Sequence, residues 1–127
     1  MINDLKINLQ MKFVHSALSG STHEFEILLS YDKPEEWDFE YVLYPIYFYL
    51  ITKLFDITYE PNANRILITK HGKENYARII FNLKAKHLNK KENIIVQVKN
   101  SFGLVCHKTK FMTEVYTPNL YISLINI

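Results

Sequence analysis

The chain has 127 residues, of which 48% are hydrophobic, 14% aromatic and 22% charged. That is the composition of one compact domain spanning residues 1–127, able to build its core without disulfide or metal staples. A single cysteine, Cys106, excludes an intramolecular disulfide, and three glycines with four prolines exclude collagen-like or low-complexity disorder. Net charge is only +2, which does not by itself point to a polyanionic partner.

In chain order, Leu5, Ile7, Leu9, Met11 and Phe13 alternate with Lys6, Asn8, Gln10 and Lys12, the two-residue period of a half-buried strand. Ser19-Gly20-Ser21 marks a turn, and Phe25, Ile27, Leu29 and Tyr31 alternate with Glu24, Glu26 and Ser30 as a second strand. The two form a long hairpin in which Lys6 and Lys12 lie across from Glu24 and Glu26.

Asp32 followed by Pro34, Glu35 and Glu36 has the pattern of a helix start, with anions at the positive end of the helix dipole. Trp37, Tyr41, Tyr44, Phe48, Ile51 and Phe55 follow at spacings of four and three, one apolar stripe that predicts a long helix from about Pro34 to Phe55, kinked at Pro45. The competing reading is a strand from Trp37 to Leu43, where Trp37, Phe39, Tyr41 and Leu43 also alternate.

Ile57–Tyr59 and Arg65–Thr69, separated by Glu60-Pro61-Asn62-Ala63-Asn64, read as a second hairpin. From Asn75 to Leu88 the residues Tyr76, Ile79, Ile80, Leu83 and His87 fit a helix, while Phe81, Leu83 and Ala85 against Asn82, Lys84 and Lys86 fit a strand; we read it as a helix. Ile94, Val96 and Val98 open another strand, Asn100 to Gly103 turns it into a strand from Leu104 to His107, and Leu120 to Ile125 is strand-like again. The expected fold is therefore α+β: a mostly antiparallel sheet of five to seven strands with the long kinked helix, and the second helix, packed on it.

The first twenty residues lack the unbroken apolar core of a signal peptide, and the weakly charged stretch from Tyr41 to Thr52 falls short of the roughly 20 residues a membrane span needs. Cys106, within the apolar run Leu104-Val105-Cys106, is expected to be a buried thiol in a reducing compartment. Together these predict a cytoplasmic protein with no membrane partner.

Charge is unevenly distributed. Residues 1–64 carry four bases and ten acids, net −6, and residues 65–127 carry eleven bases and three acids, net +8. The two sets either form opposite poles or face one another within the fold.

The acidic cluster Glu35, Glu36, Asp38 and Glu40, interleaved with Trp37, Phe39 and Tyr41, suits a partner-binding surface in which aromatics anchor and carboxylates steer. A helix start would account for the same acids. Lys84, Lys86, Lys90 and Lys91, with Tyr76, Phe81 and Phe102 interspersed, are the alternative: a surface for single-stranded nucleic acid. Against it stands a pI of 8.6, below the value of about 9 usual for dedicated binders. A third reading assembles a metal-independent nuclease from His71, His87 and His107 beside Lys70, Lys86 and Lys108. Cys106 and His107 are neighbours in sequence, which on a strand sends them to opposite faces and does not make a nucleophile pair. No spacing offers metal ligands or a phosphate loop, so no cofactor and no metal is expected.

From these features the expected function is a non-catalytic small binding protein that neutralises a protein partner, in the manner of an immunity protein or antitoxin acting on a toxic nuclease. The alternatives are a nucleic-acid-binding module and a small nuclease. Oligomeric state is left open.

Overall fold

The structure is a computed structural model that describes residues 6–32, 43–69 and 75–118. Among these residues nine strands follow in chain order: β1 (Lys6–Lys12), β2 (Ser16–Leu18), β3 (Thr22–Asp32), β4 (Leu43–Ile51), β5 (Phe55–Thr58), β6 (Arg65–Thr69), β7 (Tyr76–Ala85), β8 (Lys90–Asn100) and β9 (Val105–Tyr116). They form two sheets, one ordered β1-β3-β7-β5 and the other β2-β9-β8-β4-β6. The inner faces pack together through Phe25, Ile27, Leu29, Ile79, Phe81 and Leu83 from the first sheet and Ile46, Phe48, Ile68, Ile94, Val96 and Val98 from the second. Phe13 and Phe25 both meet Phe111 across the gap, with ring centroids 6.0 and 5.8 Å apart. This is a β-sandwich.

The α+β expectation is thereby corrected: the described residues are all-β, and neither predicted helix is present among them. From residue 43 onward the long helix is replaced by β4 and β5. Tyr44, Ile46 and Phe48 point inward and Tyr47, Tyr49 and Ile51 outward. Because both faces of β4 are apolar, every residue pair three or four apart also looks like one stripe of a helix. Pro45 does not kink anything; β4 pairs with β8 only from Ile46 on, so the missing N–H falls where β4 has a neighbour on one side only. The competing strand from Trp37 to Leu43 lies outside the described residues except at its end. Residues 76–85 form β7, buried between β3 and β5, with Ile79, Phe81, Leu83 and Ala85 inward; pairing on both edges overrides the helical spacing.

The first expected hairpin holds in its pairing, β1 lying antiparallel to β3 with Lys12 opposite Glu26, but not in its connection, and Lys6 faces Asp32 rather than Glu24. Between them the chain crosses sheets, and β2 adds parallel to β9. The second expected hairpin is not one. Its turn is real, with Asn62 at φ 64, but β5 pairs with β7 and β6 with β4, so the turn is a crossover between sheets. Asn64 secures it from within: its side chain donates to the Phe48 carbonyl at 3.2 Å, and its own carbonyl accepts from the Phe48 N–H at 2.7 Å.

Strand pairing also answers the question posed by the two halves of the charge distribution. On the outer face of the first sheet, Lys6, Lys12, Arg78 and Lys84 are matched by Glu24, Glu26, Asp32 and Asp56. The best ion pair is Arg78 Nε to Glu26 Oε1 at 2.7 Å. The hydrogen bond from Arg78, reinforced by its charge and that of Lys12, holds the Glu26 carboxyl below the usual carboxylate range. A group with a lowered folded pKa contributes stability at pH values above its unfolded pKa and loses that contribution as pH falls through the folded one. Glu26→Gln is therefore expected to melt slightly earlier than the parent at pH 7, the difference closing as pH falls below the usual carboxylate range. Paired thermal melts across that range check it; a difference that widens on acidification contradicts the pairing.

Candidate protein-binding face

The second sheet has a different outer surface. Alternation along its strands places Arg65 and Leu67 of β6, Pro45, Tyr47, Tyr49 and Ile51 of β4, Lys91, Asn93, Ile95, Gln97 and Lys99 of β8, and Lys108, Lys110, Met112 and Glu114 of β9 on one face. Among the described residues five cations there meet a single carboxylate, Glu114, which lies opposite Lys91. The cross-strand neighbours of the remaining lysines are uncharged: Lys99 faces Tyr47 and Val105, Lys108 faces Gln97, and Lys110 faces Ile95. Among the described residues no carboxylate pairs with any of these three. The Lys99 ammonium instead lies 5.0 Å from the centroid of the Tyr49 ring, a cation–π contact that keeps its charge at the surface.

Large apolar groups are exposed between the cations, Ile51 to 50% and Leu67, Met112 and Tyr49 nearly as much. Aromatic, Met and Arg side chains are enriched in desolvated interface cores, and charged side chains such as these lysines suit the polar, solvent-accessible rim. At one end of the face the β8–β9 hairpin presents Phe102, 75% exposed, together with Leu104 and Val105. This tip is held from beneath. The buried Asn100 side chain accepts hydrogen bonds from the N–H groups of Phe102 (3.0 Å) and Leu104 (3.1 Å), and the Gly103 N–H donates to the Asn100 carbonyl at 3.0 Å. Gly103, at φ 80, takes the left-handed conformation that closes the loop without a Cβ penalty. Asn100→Ala orphans two N–H groups, at a cost of about 1–3 kcal/mol. We expect faster amide exchange at Phe102 and Leu104 and an unaltered rate in the middle of β7; unchanged exchange at the tip contradicts the support given to Asn100.

The residues singled out from the sequence fare unevenly. Glu35, Glu36, Trp37, Asp38, Glu40 and Tyr41 lie outside the described residues. Lys84, Lys86, Lys90 and Lys91 are described and are not brought together. Lys84 sits on the first sheet opposite Asp56, Lys86 approaches Asp56 at 4.0 Å, Lys90 is bridged to Glu92 at 2.6 Å and Lys91 faces Glu114. Each already has an acid beside it, so they form no phosphate-binding track. His71 is outside the described residues. His87 precedes β8 at its start, while His107 faces Val98 near its far end, a separation of about 25 Å at the rise of a strand; the paired-imidazole arrangement is not assembled.

Cys106 is exposed rather than buried. It occupies the extra position of the bulge between Val98 and Lys99, where its thiol donates to the Val98 carbonyl at 3.3 Å. Partial burial of the sulfur itself pushes the thiol up from its ordinary value, so it is a poor nucleophile at neutral pH. No group of three or more His, Cys, Asp and Glu side chains able to hold a metal is found among the described residues, and none of their elements is a helix able to cross a membrane.

No family model and no curated protein matches the chain. Its similarities are to solved structures. A conjugative transposon lipoprotein from Bacteroides eggerthii is 20% identical, covering 87% of this chain and 97% of that one with a TM-score of 0.46. The cohesin module of a family 33 glycoside hydrolase from Clostridium perfringens is 18% identical, covering 88% and 98% with a TM-score of 0.46. The BIgI domain of β protein from S. agalactiae, solved bound to CEACAM1, is 13% identical, covering 90% and 100% with a TM-score of 0.44. These values assign neither family nor function. They lend no support to the expectation of an immunity protein or antitoxin, and Glu36 and Glu40, on which that expectation rested, lie outside the described residues.

Proposed function

We propose that the domain is a non-catalytic binding module that engages an acidic protein partner through the outer face of β4, β8 and β9. The observation that carries this is the asymmetry of the two sheets among the described residues: the strands of one outer face carry four cations and four acids, and those of the other carry five cations and one acid among exposed aromatic and aliphatic side chains. Surface cations without partners attract an anionic surface at long range, and the apolar groups between them supply the desolvated contact after docking. We place the module in the cytoplasm as part of the same proposal, since a single exposed thiol such as Cys106 persists unpaired most readily in a reducing compartment.

The test is capture from lysate of the source cells, with and without nuclease treatment, by the parent chain and by a Lys99→Glu, Lys108→Glu, Lys110→Glu variant. The expected result is a protein retained by the parent after nuclease treatment and lost by the variant. Retention that vanishes with nuclease assigns the face to nucleic acid, and equal retention by both chains removes this face from the function.

A further inference from the structure

We propose that the open edge of β9 accepts an extended strand from the partner, one in which acidic and apolar residues alternate. The proposal rests on the binding face described above and names how the partner joins it.

β9 is twelve residues long, but on its outer edge β2 covers only Glu114, Val115 and Tyr116. Among the described residues nothing pairs with that edge over positions 105–112. The direction of the free groups follows from one bond. The Glu114 N–H donates to the His15 carbonyl at 3.1 Å, away from β8, and in an antiparallel ladder alternate residues point the same way. The N–H and C=O groups of Met112, Lys110 and Lys108 therefore face the open edge, a three-residue template for main-chain pairing.

The side chains beside this template select what can pair. Lys108 and Lys110 project onto the outer face with no carboxylate partner among the described residues. A second copy of β9 laid antiparallel would set lysine against lysine, which is destabilising between directly opposed residues. The edge thus rejects its own copy and favours carboxylates at every second position of an incoming strand.

The other face of such a strand also has a place to go. β1 and β9 are the outermost long strands on the same side of the sandwich, joined through Phe13, whose ring lies 6.0 Å from that of Phe111. Along the seam between them Ile7, Leu9 and Met11 of β1 and Phe111 of β9 are only partly buried, though they pack on the core. Apolar residues alternating with the acids would cover this row. Main-chain bonds, charge matching and burial all call for the same ligand: an extended segment of the type Glu-Val-Glu-Val-Glu.

The probe is a fluorescent blocked peptide, Glu-Val-Glu-Val-Glu-Val-Glu, titrated against the full chain. It is expected to bind with salt-dependent affinity, to slow amide exchange at Lys108, Lys110 and Met112, and to weaken at least about tenfold when the alternate peptide nitrogens facing β9 are methylated. Its Lys-Val counterpart is expected not to bind. Lys110→Pro removes one outward donor without touching the β8 ladder and should weaken binding to a similar degree; the methylated peptides give the same reading if that variant folds poorly. The edge proposal fails if the peptide does not bind, or binds equally when methylated in either phase, or protects amides elsewhere. If the captured partner is lost on Lys99→Glu yet indifferent to Lys110→Pro and to the peptide as competitor, the face stands and the edge falls. If neither substitution affects the partner, both fall.

Discussion

Phe48→Ala is expected to lower unfolding free energy by about 3–5 kcal/mol, whereas Tyr49→Ala, one residue away, costs about 1 kcal/mol or less. The two side chains leave β4 in opposite directions: Phe48 has no exposed surface, and Tyr49 lies open on the outer face against Lys99. Truncating Phe48 empties space bounded by both sheets at the point where Asn64 ties β6 to β4. For a domain of this size, with total stability of order 5–15 kcal/mol, a loss of that magnitude corresponds to a melting point lower by roughly 10–25 °C. Thermal melts of the two variants check it. Had residues 43–51 been one face of a helix, Phe48 would share its burial with Tyr44 and Ile51 rather than alternate with its neighbours. Comparable losses for Phe48→Ala and Tyr49→Ala contradict the strand and its two-sided character.

The second large effect concerns association. The Lys99→Glu, Lys108→Glu, Lys110→Glu variant turns the three lysines of the face that have no carboxylate partner among the described residues into anions. We expect association with the nuclease-resistant partner to slow by about ten- to a thousandfold at low ionic strength. The parent's own rate should fall steeply with salt while the variant's does not. Folding should change little, since these lysines make no described ion pair whose loss would leave a buried charge. Asn8→Glu with Gln10→Glu, on the outer face of β1, provides the control for added negative charge, with a net-charge change of −2 against −6 for the triple variant; that variant should bind nearly as the parent does. Stopped-flow association rates at two salt concentrations separate the outcomes, and a control slowed in proportion to its smaller charge change makes the effect one of net charge rather than of this face.

The sequence was most legible where one face of a strand is apolar and the other polar. β1 and β3 alternate cleanly, their pairing follows, and Lys12 meets Glu26 as the pattern requires. Turns were legible for a local reason, since Gly20, Asn62 and Gly103 adopt the positive φ values that few other residues tolerate. Pairing partners were not, because the residues of β5 and β6 say that they are strands without saying that the chain crosses between sheets at Asn62. The costliest misreading was β4. A strand with Tyr44, Ile46 and Phe48 inward and Tyr47, Tyr49 and Ile51 outward has no polar face to reveal its period, and the same doubled apolar character is what makes its outer side a binding surface. Lys99 and Lys110 escaped notice, and Lys108 stood out only as a neighbour of His107, because the three are separated in sequence and gather only when β8 and β9 pair. Charge counted along the chain suggested two opposed halves; strand pairing redistributes it between two sheets.

Backbone amide resonances of the isotope-labelled chain, followed while the captured partner is added, test whether the outer face of β4, β8 and β9 is where this domain meets its partner. Perturbations are expected at Tyr47, Tyr49, Ile95, Lys99, Lys108, Lys110 and the Phe102 tip, with the outer face of the β1-β3-β7-β5 sheet unmoved. Perturbations centred instead on Leu28, Ser30, Arg78 and Asn82 would contradict it.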